Sequence, residues 1–252
     1  MYAPSNVARQ NISVSKPVVA GETPTLSSIF HDKPVETFEA GRTIFCEDDA
    51  AKHVFQVVEG VLRVFKIIGD GRRAITGFLY PGDLVGVSMR DTYLYSVETI
   101  GQAKIRRFSR TAFQDAINLS PELRPQLFAI LCDEMAAAQD QMVLLSRKNA
   151  EERLCTFLLW LANRMGSAKD PDAKVKVPMT RLDMADYLGL TIETVSRTMS
   201  SLVNRGIIST MGRHDIRILK RDTLMRLAGD YNAHDGMDNG QTYSRQAVWP
   251  SA

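Results

Sequence analysis

The hydrophobic period of this chain changes near residue 121, and that change limits what it can fold into. Before it, apolar residues come in short β-rich runs punctuated by glycine. Residues 54–58 and 61–68 are two such runs, with Glu59-Gly60 as a tight connection. Gly69-Asp70-Gly71 suits a hairpin turn, residues 74–80 give the return strand, and Pro81-Gly82-Asp83 turns the chain again. Residues 105–108 add a further strand. Many short strands with regular glycines predict a small sandwich or roll.

After the change, Leu127, Leu131, Met135, Ala138, Met142 and Leu145 step by 4, 4, 3, 4 and 3, which is one face of a helix. The helix is expected to start near Pro121, with Ser120 as N-cap, and to run to Arg147. At 1.5 Å per residue it would be about 40 Å long. That exceeds what a small roll needs for cover, and the Ala and Met of the stripe allow a second helix to approach closely. The stripe is therefore the expected seam of a homodimer; packing on the chain's own roll is the alternative. A second helix is expected over residues 150–165, with Leu154, Phe157, Leu158 and Leu161 inward. Residues 166–174 are polar, with Gly and Pro, and read as a loop. Two short helices and a terminal hairpin follow, without internal repeats.

Composition excludes several classes. With 31 Lys and Arg against 29 Asp and Glu, the net charge is +2, so any basic surface is local. No apolar run reaches the length of a membrane span, and the N-terminus lacks a signal-peptide core. Cys46, Cys132 and Cys155 are odd in number and widely spaced, which fits a reducing cytoplasm rather than a disulfide framework. The polar ends, residues 1–25 and 231–252, read as a loose leader and tail.

The informative segment is TRLDMADYLGLTIETVSRTMSSLVNR, residues 180–205. A helix-turn-helix needs a small residue where its helices touch, a residue that accepts positive φ in the turn, and an apolar anchor on the second helix. Ala185, Gly189 and Val195 have that spacing, with Leu182, Leu188 and Leu202 as further inward contacts. Thr191 can cap the second helix. With Val195 inward, a 100° step displays Ile192, Glu193, Ser196, Arg197 and Ser200 on the opposite face. Arg197 can pair bidentately with a guanine, Glu193 can accept from cytosine N4, and Ile192 can touch a thymine methyl. Ser196 is short enough to let the helix sit deep in the groove. Residues 206–209 and 216–219 flank Gly212-Arg213-His214 as a β-hairpin wing with a basic tip. Residues 176–221 carry eight Lys and Arg against four Asp and Glu, a local charge of +4 suited to phosphate. Thr180, Arg181, Thr191, Ser200, Arg213 and His214 are the candidate contacts to the DNA backbone.

A glycine-punctuated roll, a long helix and a winged helix-turn-helix together resemble the cyclic-AMP receptor protein/FNR family of bacterial transcription regulators. LGLTIETVSR, residues 188–197, is close to that family's recognition signature. DEMAAAQDQMVLLSRKNAEERL and VFQVVEGVLRVFKIIGDGRRAITGFLYPGDLVGVS resemble the FixK branch, whose members regulate low-oxygen respiration and nitrogen fixation. The resemblance implies an α+β chain. Its parts are a jelly-roll (double-stranded β-helix) over 26–120, a dimerisation helix over 121–148 and a winged helix-turn-helix over 149–230. It also implies a dimeric activator that recruits RNA polymerase and binds inverted TTGA-like half-sites about a six-base spacer.

Departures from the relatives bear on cofactors. FNR-type oxygen sensors carry an N-terminal cysteine cluster, absent here. Nucleotide-binding relatives follow their PGD turn with G-E-L and later an Arg-Ser pair. Here Val87 replaces the Glu, which held the ribose hydroxyl, and residues 92–96 contain no arginine; Arg90 comes too early. His53 alone is a poor case for haem, and His31 with His53 is too few for a cupin metalloenzyme. The expected protein is a regulator, not an enzyme, and has no cofactor; gating by an unidentified small effector in the roll is the alternative.

Overall fold

The computed structural model describes residues 24–88, 90–165, 174–212 and 214–229, so the expected leader and tail lie almost wholly outside the described residues. A 3-10 turn, Ser28–Phe30, leads into eight strands: β1 Val35–Phe38, β2 Thr43–Phe45, β3 His53–Glu59, β4 Leu62–Ile67, β5 Arg73–Leu79, β6 Leu84–Val85, β7 Ser96–Thr99 and β8 Ala103–Ser109. They form two four-stranded antiparallel sheets, ordered β1-β8-β3-β6 and β2-β7-β4-β5. The alternation of side chains along each strand fills the roll with Phe45, Phe55, Leu62, Val64, Val97 and Ile105. Gly60, at φ 87°, turns β3 into β4; a Cβ there would lie 2.6 Å from the Gln102 carbonyl oxygen, so glycine is required.

Helix α1, Arg110–Leu119, follows the roll. It was not foreseen, because only Phe113 and Ile117 of its ten residues are buried, too few to mark a stripe. Helix α2 runs Leu123–Arg147, two residues later than expected at its start. Ser120 ends α1 rather than capping α2, whose N-cap is Glu122. Phe30, Phe108 and Phe113 close the base of the roll, with Leu123 buried against them; the Phe30 and Phe108 rings meet edge-on at 5.4 Å.

Helix α3, Ala150–Arg164, opens with a capping box in which Asn149 accepts from the Glu151 and Glu152 amides. Leu154, Phe157, Leu158 and Leu161 are buried as expected, but so are Cys155, Leu159 and Ala162. The helix is apolar around most of its circumference because it is covered from several sides. Its residues join one core with Ile75, Phe78 and Tyr80 of the roll and with the helices that follow. Each such large side chain contributes roughly 1.5–3 kcal/mol on burial.

Strand β9, Lys174–Lys176, comes where a loop was expected to end, and it pairs with the wing. Three residues are too short a run to show a period. Helices α4, Arg181–Leu188, and α5, Ile192–Asn204, then form the helix-turn-helix. Ala185 and Val195 are buried, and Gly189 between the helices takes φ 62°. Leu188 and Leu202 point inward, but Leu182 is 50 % exposed. The reason is the helical step: Leu182 lies about 160° from Met184 and about 120° from Leu188, outside the buried face, and Met184 takes the inward place. The wing is β10, Ile208–Thr210, and β11, Asp215–Ile218, in the order β10-β11-β9. A last helix, α6, Arg221–Leu227, was also not foreseen. Among the described residues no helix is long and apolar enough to cross a membrane.

Burial, with Glu151 nearby, pushes the Cys155 thiol up to about 12, so only about one thiol in ten thousand is ionised at pH 8. Iodoacetamide at pH 8 should label exposed Cys46 promptly and Cys155 only after denaturation; peptide mapping would show equal labelling if Cys155 were accessible. At Gly189, a Cβ would lie 3.3 Å from a Leu145 methyl and 3.4 Å from the Arg153 guanidinium, in a left-handed backbone conformation. Gly189→Ala should therefore destabilise the protein by about 1–2 kcal/mol in thermal unfolding; an unchanged midpoint would mean that the turn relaxes freely.

Candidate nucleic-acid interface

Helix α5 divides into two faces. Val195, Met199 and Leu202 are buried in the core, and Ile192, Glu193, Ser196, Arg197 and Ser200 are exposed on the other side. Thr191 caps the helix by accepting from the Thr194 amide at 3.2 Å. The Glu193 carboxyl is held below the ordinary carboxylate range by its own amide and the Thr191 hydroxyl, with Arg197 one turn on adding attraction. It is thus ionised and can accept a hydrogen bond from an N–H donor such as cytosine N4. Arg197 lies in a shallow depression with Ser196, Ser200 and Asn204. The Ser200 hydroxyl donates to the Ser196 carbonyl at 3.0 Å. Small hydroxyl side chains around one exposed guanidinium leave room for a base edge. Arg205 at the end of α5 pairs with Glu151 and ties the helix to α3.

The candidate backbone contacts are placed unequally. The Thr180 hydroxyl caps α4, accepting from the Asp183 amide at 3.1 Å and donating to its carboxylate at 2.8 Å. Arg181 is half-buried with its guanidinium 3.4 Å from the Met184 sulfur, and burial lowers its pKa. His214 is exposed, with Nδ1 3.2 Å from the Val177 carbonyl. Arg213 lies outside the described residues.

The residues that hold the reader in place were missed in the sequence. Asp183, 1 % exposed, accepts from Arg63 and Arg73 of the roll, each at 2.9 Å. Arg73 also reaches Asp186 at 3.0 Å, and Arg63 reaches Glu98 at 2.7 Å. At the other end of α4, the Arg153 guanidinium donates to the carbonyls of Leu145, Lys148 and Leu188 at 2.8–2.9 Å. Gln141 of α2 donates to the Tyr187 carbonyl at 2.7 Å. The only local signal was Thr180-x-x-Asp183, a capping pattern; arginines 110 or more residues away carry no period that could reveal their partner.

Along α2, Leu131, Met135, Met142 and Leu145 are 39–67 % exposed, and Ala138 is exposed with them. Leu127 departs from this stripe and packs partly against the Phe30 cluster. In the roll, Val87 packs beside that same cluster. Tyr93 stacks on Phe45 at 3.7 Å and donates to the His53 carbonyl. A cavity of about 650 Å³ lies between Val64, Phe78 and Tyr95 of the roll, Ala138 of α2, and Phe157 and Trp160 of α3. Among the described residues, no three His, Cys, Asp or Glu are grouped to hold a metal ion.

Comparison with known proteins agrees with this architecture. Residues 35–120 match the cyclic nucleotide-binding domain, and residues 152–227 match the Crp-like helix-turn-helix domain. The nitrogen fixation regulation protein FixK of Bradyrhizobium diazoefficiens is 40% identical over 172 residues, covering 68% of this chain and 73% of that protein. The transcriptional activator protein FnrL of Cereibacter sphaeroides is 33% identical over 209 residues, covering 81% of this chain and 84% of that protein. The structure of FixK2 from Bradyrhizobium japonicum superposes with a TM-score of 0.73 at 35% identity, covering 77% of this chain and 96% of that one. This extent of shared sequence, over a shared roll, long helix and winged reader, shows that the chain belongs to the Crp/Fnr family of transcription regulators, in its FixK-like branch.

Proposed function

We propose that this protein is a cytoplasmic transcription activator that binds an inverted repeat of TTGA-like half-sites, about six bases apart, as a homodimer without a cofactor. It is not an enzyme in this reading; RNA polymerase is its protein partner. The observation that carries the proposal is the exposed polar face of α5, held opposite a fully buried one. Arg197 reads a guanine, Glu193 and Ile192 read neighbouring bases, and Ser196 lets the helix approach. Arg213 on the wing, with Thr180, Arg181, Thr191, Ser200 and His214, contacts phosphates and fixes register without reading sequence. The exposed stripe of α2 forms the seam, since two readers related by a two-fold axis are needed to read half-sites one helical turn apart. The names of the relatives, regulators of nitrogen fixation and transcriptional activators, support the activator sign and the type of gene. A second reading is favoured by the cavity beside Tyr95 and Trp160, which offers room for a small effector. Calorimetry against candidate metabolites, with DNA binding measured alongside, separates the two.

Two measurements test the proposal. Arg197→Ala should cost about 1–3 kcal/mol and relax base preference at one position per half-site, whereas Arg213→Ala should weaken binding to all sequences alike. In vitro selection with the purified variants reads both; an unchanged preference in Arg197→Ala would move the reading face elsewhere. Ala138→Glu places two like charges at the seam, where desolvation makes repulsion costly. Sedimentation should show a monomer with a folded roll, and palindrome binding should be lost; a dimer that binds normally would make the stripe plain packing surface.

A further inference from the structure

Helix α4 is eight residues long, and both of its ends are held by elements outside the helix-turn-helix. In its first turn, Asp183 receives Arg63 and Arg73 from β4 and β5 of the roll, and one turn further on Asp186 receives Arg73 as well. Glu98 on β7 holds Arg63 from the other side, so the guanidinium is fixed within the roll before it reaches α4. At its C-terminus, Arg153 places one guanidinium between the last carbonyls of α2 and the last carbonyl of α4. A helix C-terminus carries partial negative charge, and here two such ends share one cation. Gln141, on α2 itself, adds a direct bond to Tyr187.

These contacts do not touch the reading face. They fix the angle between α4 and the long helix, and α5 follows because Ala185 and Val195 are buried together in the core below the turn. In a dimer joined along α2, any error in that angle is doubled across the two-fold axis. On B-DNA, each added base pair moves a half-site by about 3.4 Å along the axis and turns it by about 34°. A reader held rigidly at both ends of α4 meets two half-sites at only one separation. A loosely held reader adjusts to several.

We infer that Arg153 and the Arg63–Arg73–Asp183 cluster are positioning residues that set the spacer length accepted between half-sites, apart from the base preference within each. This rests on the dimeric reading proposed above. It assigns the choice of spacing to side chains of the roll and of α3 that lie far from the bases.

The test uses the full-length protein and operators with identical half-sites separated by five, six or seven base pairs, together with half-sites carrying single base changes. Anisotropy titrations should show that the wild-type protein prefers one spacer by about tenfold or more. Arg153→Gln, and separately the double variant Arg63→Gln/Arg73→Gln, should bring the three spacers within about threefold while each base change keeps its wild-type penalty. A purely structural role would instead weaken every operator by the same factor and leave the spacer ratio intact, which overturns the inference. Loss of base discrimination together with spacer discrimination also overturns it, because the reading face would then have moved. The roll variant keeps the question answerable if Arg153→Gln does not fold. A wild-type protein that gains nothing from paired half-sites would overturn the dimeric reading itself, a result distinct from an unchanged spacer ratio in the variants.

Discussion

A carboxylate taken out of water costs several kcal/mol unless its lone pairs are met by donors held in place. Asp183 is almost completely buried, and four groups meet it: the guanidiniums of Arg63 and Arg73 and the amide and hydroxyl of Thr180. Two of those donors belong to the roll and two to the start of the DNA-binding helices. The carboxylate is satisfied only when both halves are in their places. The surrounding apolar core, in which Ile75 and Phe78 of the roll meet Leu158 and Met184, supplies most of the burial energy. Apolar contact is not directional, however, whereas these charged hydrogen bonds are met only at a defined distance and angle.

The same economy governs α5. Its thirteen residues present one buried face and one exposed face because a 100° step separates Val195, Met199 and Leu202 from Glu193, Ser196 and Arg197. The Thr191 cap and the Gly189 turn fix where that helix starts, so the exposed side chains are presented from a rigid base. Side chains on a loop would have to be ordered on binding any partner, at a cost in affinity that a helix avoids. The stripe on α2 follows the same logic with a different outcome. Its Met and Leu side chains are left open in the single chain, while Leu123 and Leu144 of the same helix are used internally.

The roll shows how family resemblance and local chemistry can point apart. It matches the cyclic nucleotide-binding domain over residues 35–120. Yet Val87, which by resemblance takes the place of a nucleotide-binding carboxylate, packs its side chain on the apolar cluster at the base of the roll. Tyr93 and Phe45 stack within the interior, and Tyr95 directs its hydroxyl to the Gly86 amide. These residues make the inside of the roll an aromatic packing surface, with the cavity displaced toward α2 and α3.

Sequence alone determined the features that depend on neighbours along the chain. The longer strands β3, β4, β5 and β8, the long stripe of α2, the inward face of α3 and the Ala185–Gly189–Val195 turn are set by β-rich runs between glycines, by a period of 3.6 and by one positive φ, all of which are local quantities; β1, β2, β6 and β7, two to four residues each, are too short to show in that way. Where the pattern was thin, local reading failed: α1 and α6 bury too few residues to mark a stripe, β9 is three residues long, and Leu182 was given a face that Met184 occupies. Tertiary structure alone decided how the halves meet. Arg63 and Asp183 are 120 residues apart, and Arg153 joins carbonyls from two helices. Charge pairing acts through space at a few ångströms, so its partners are chosen by the folded surfaces and leave no repeat in the sequence.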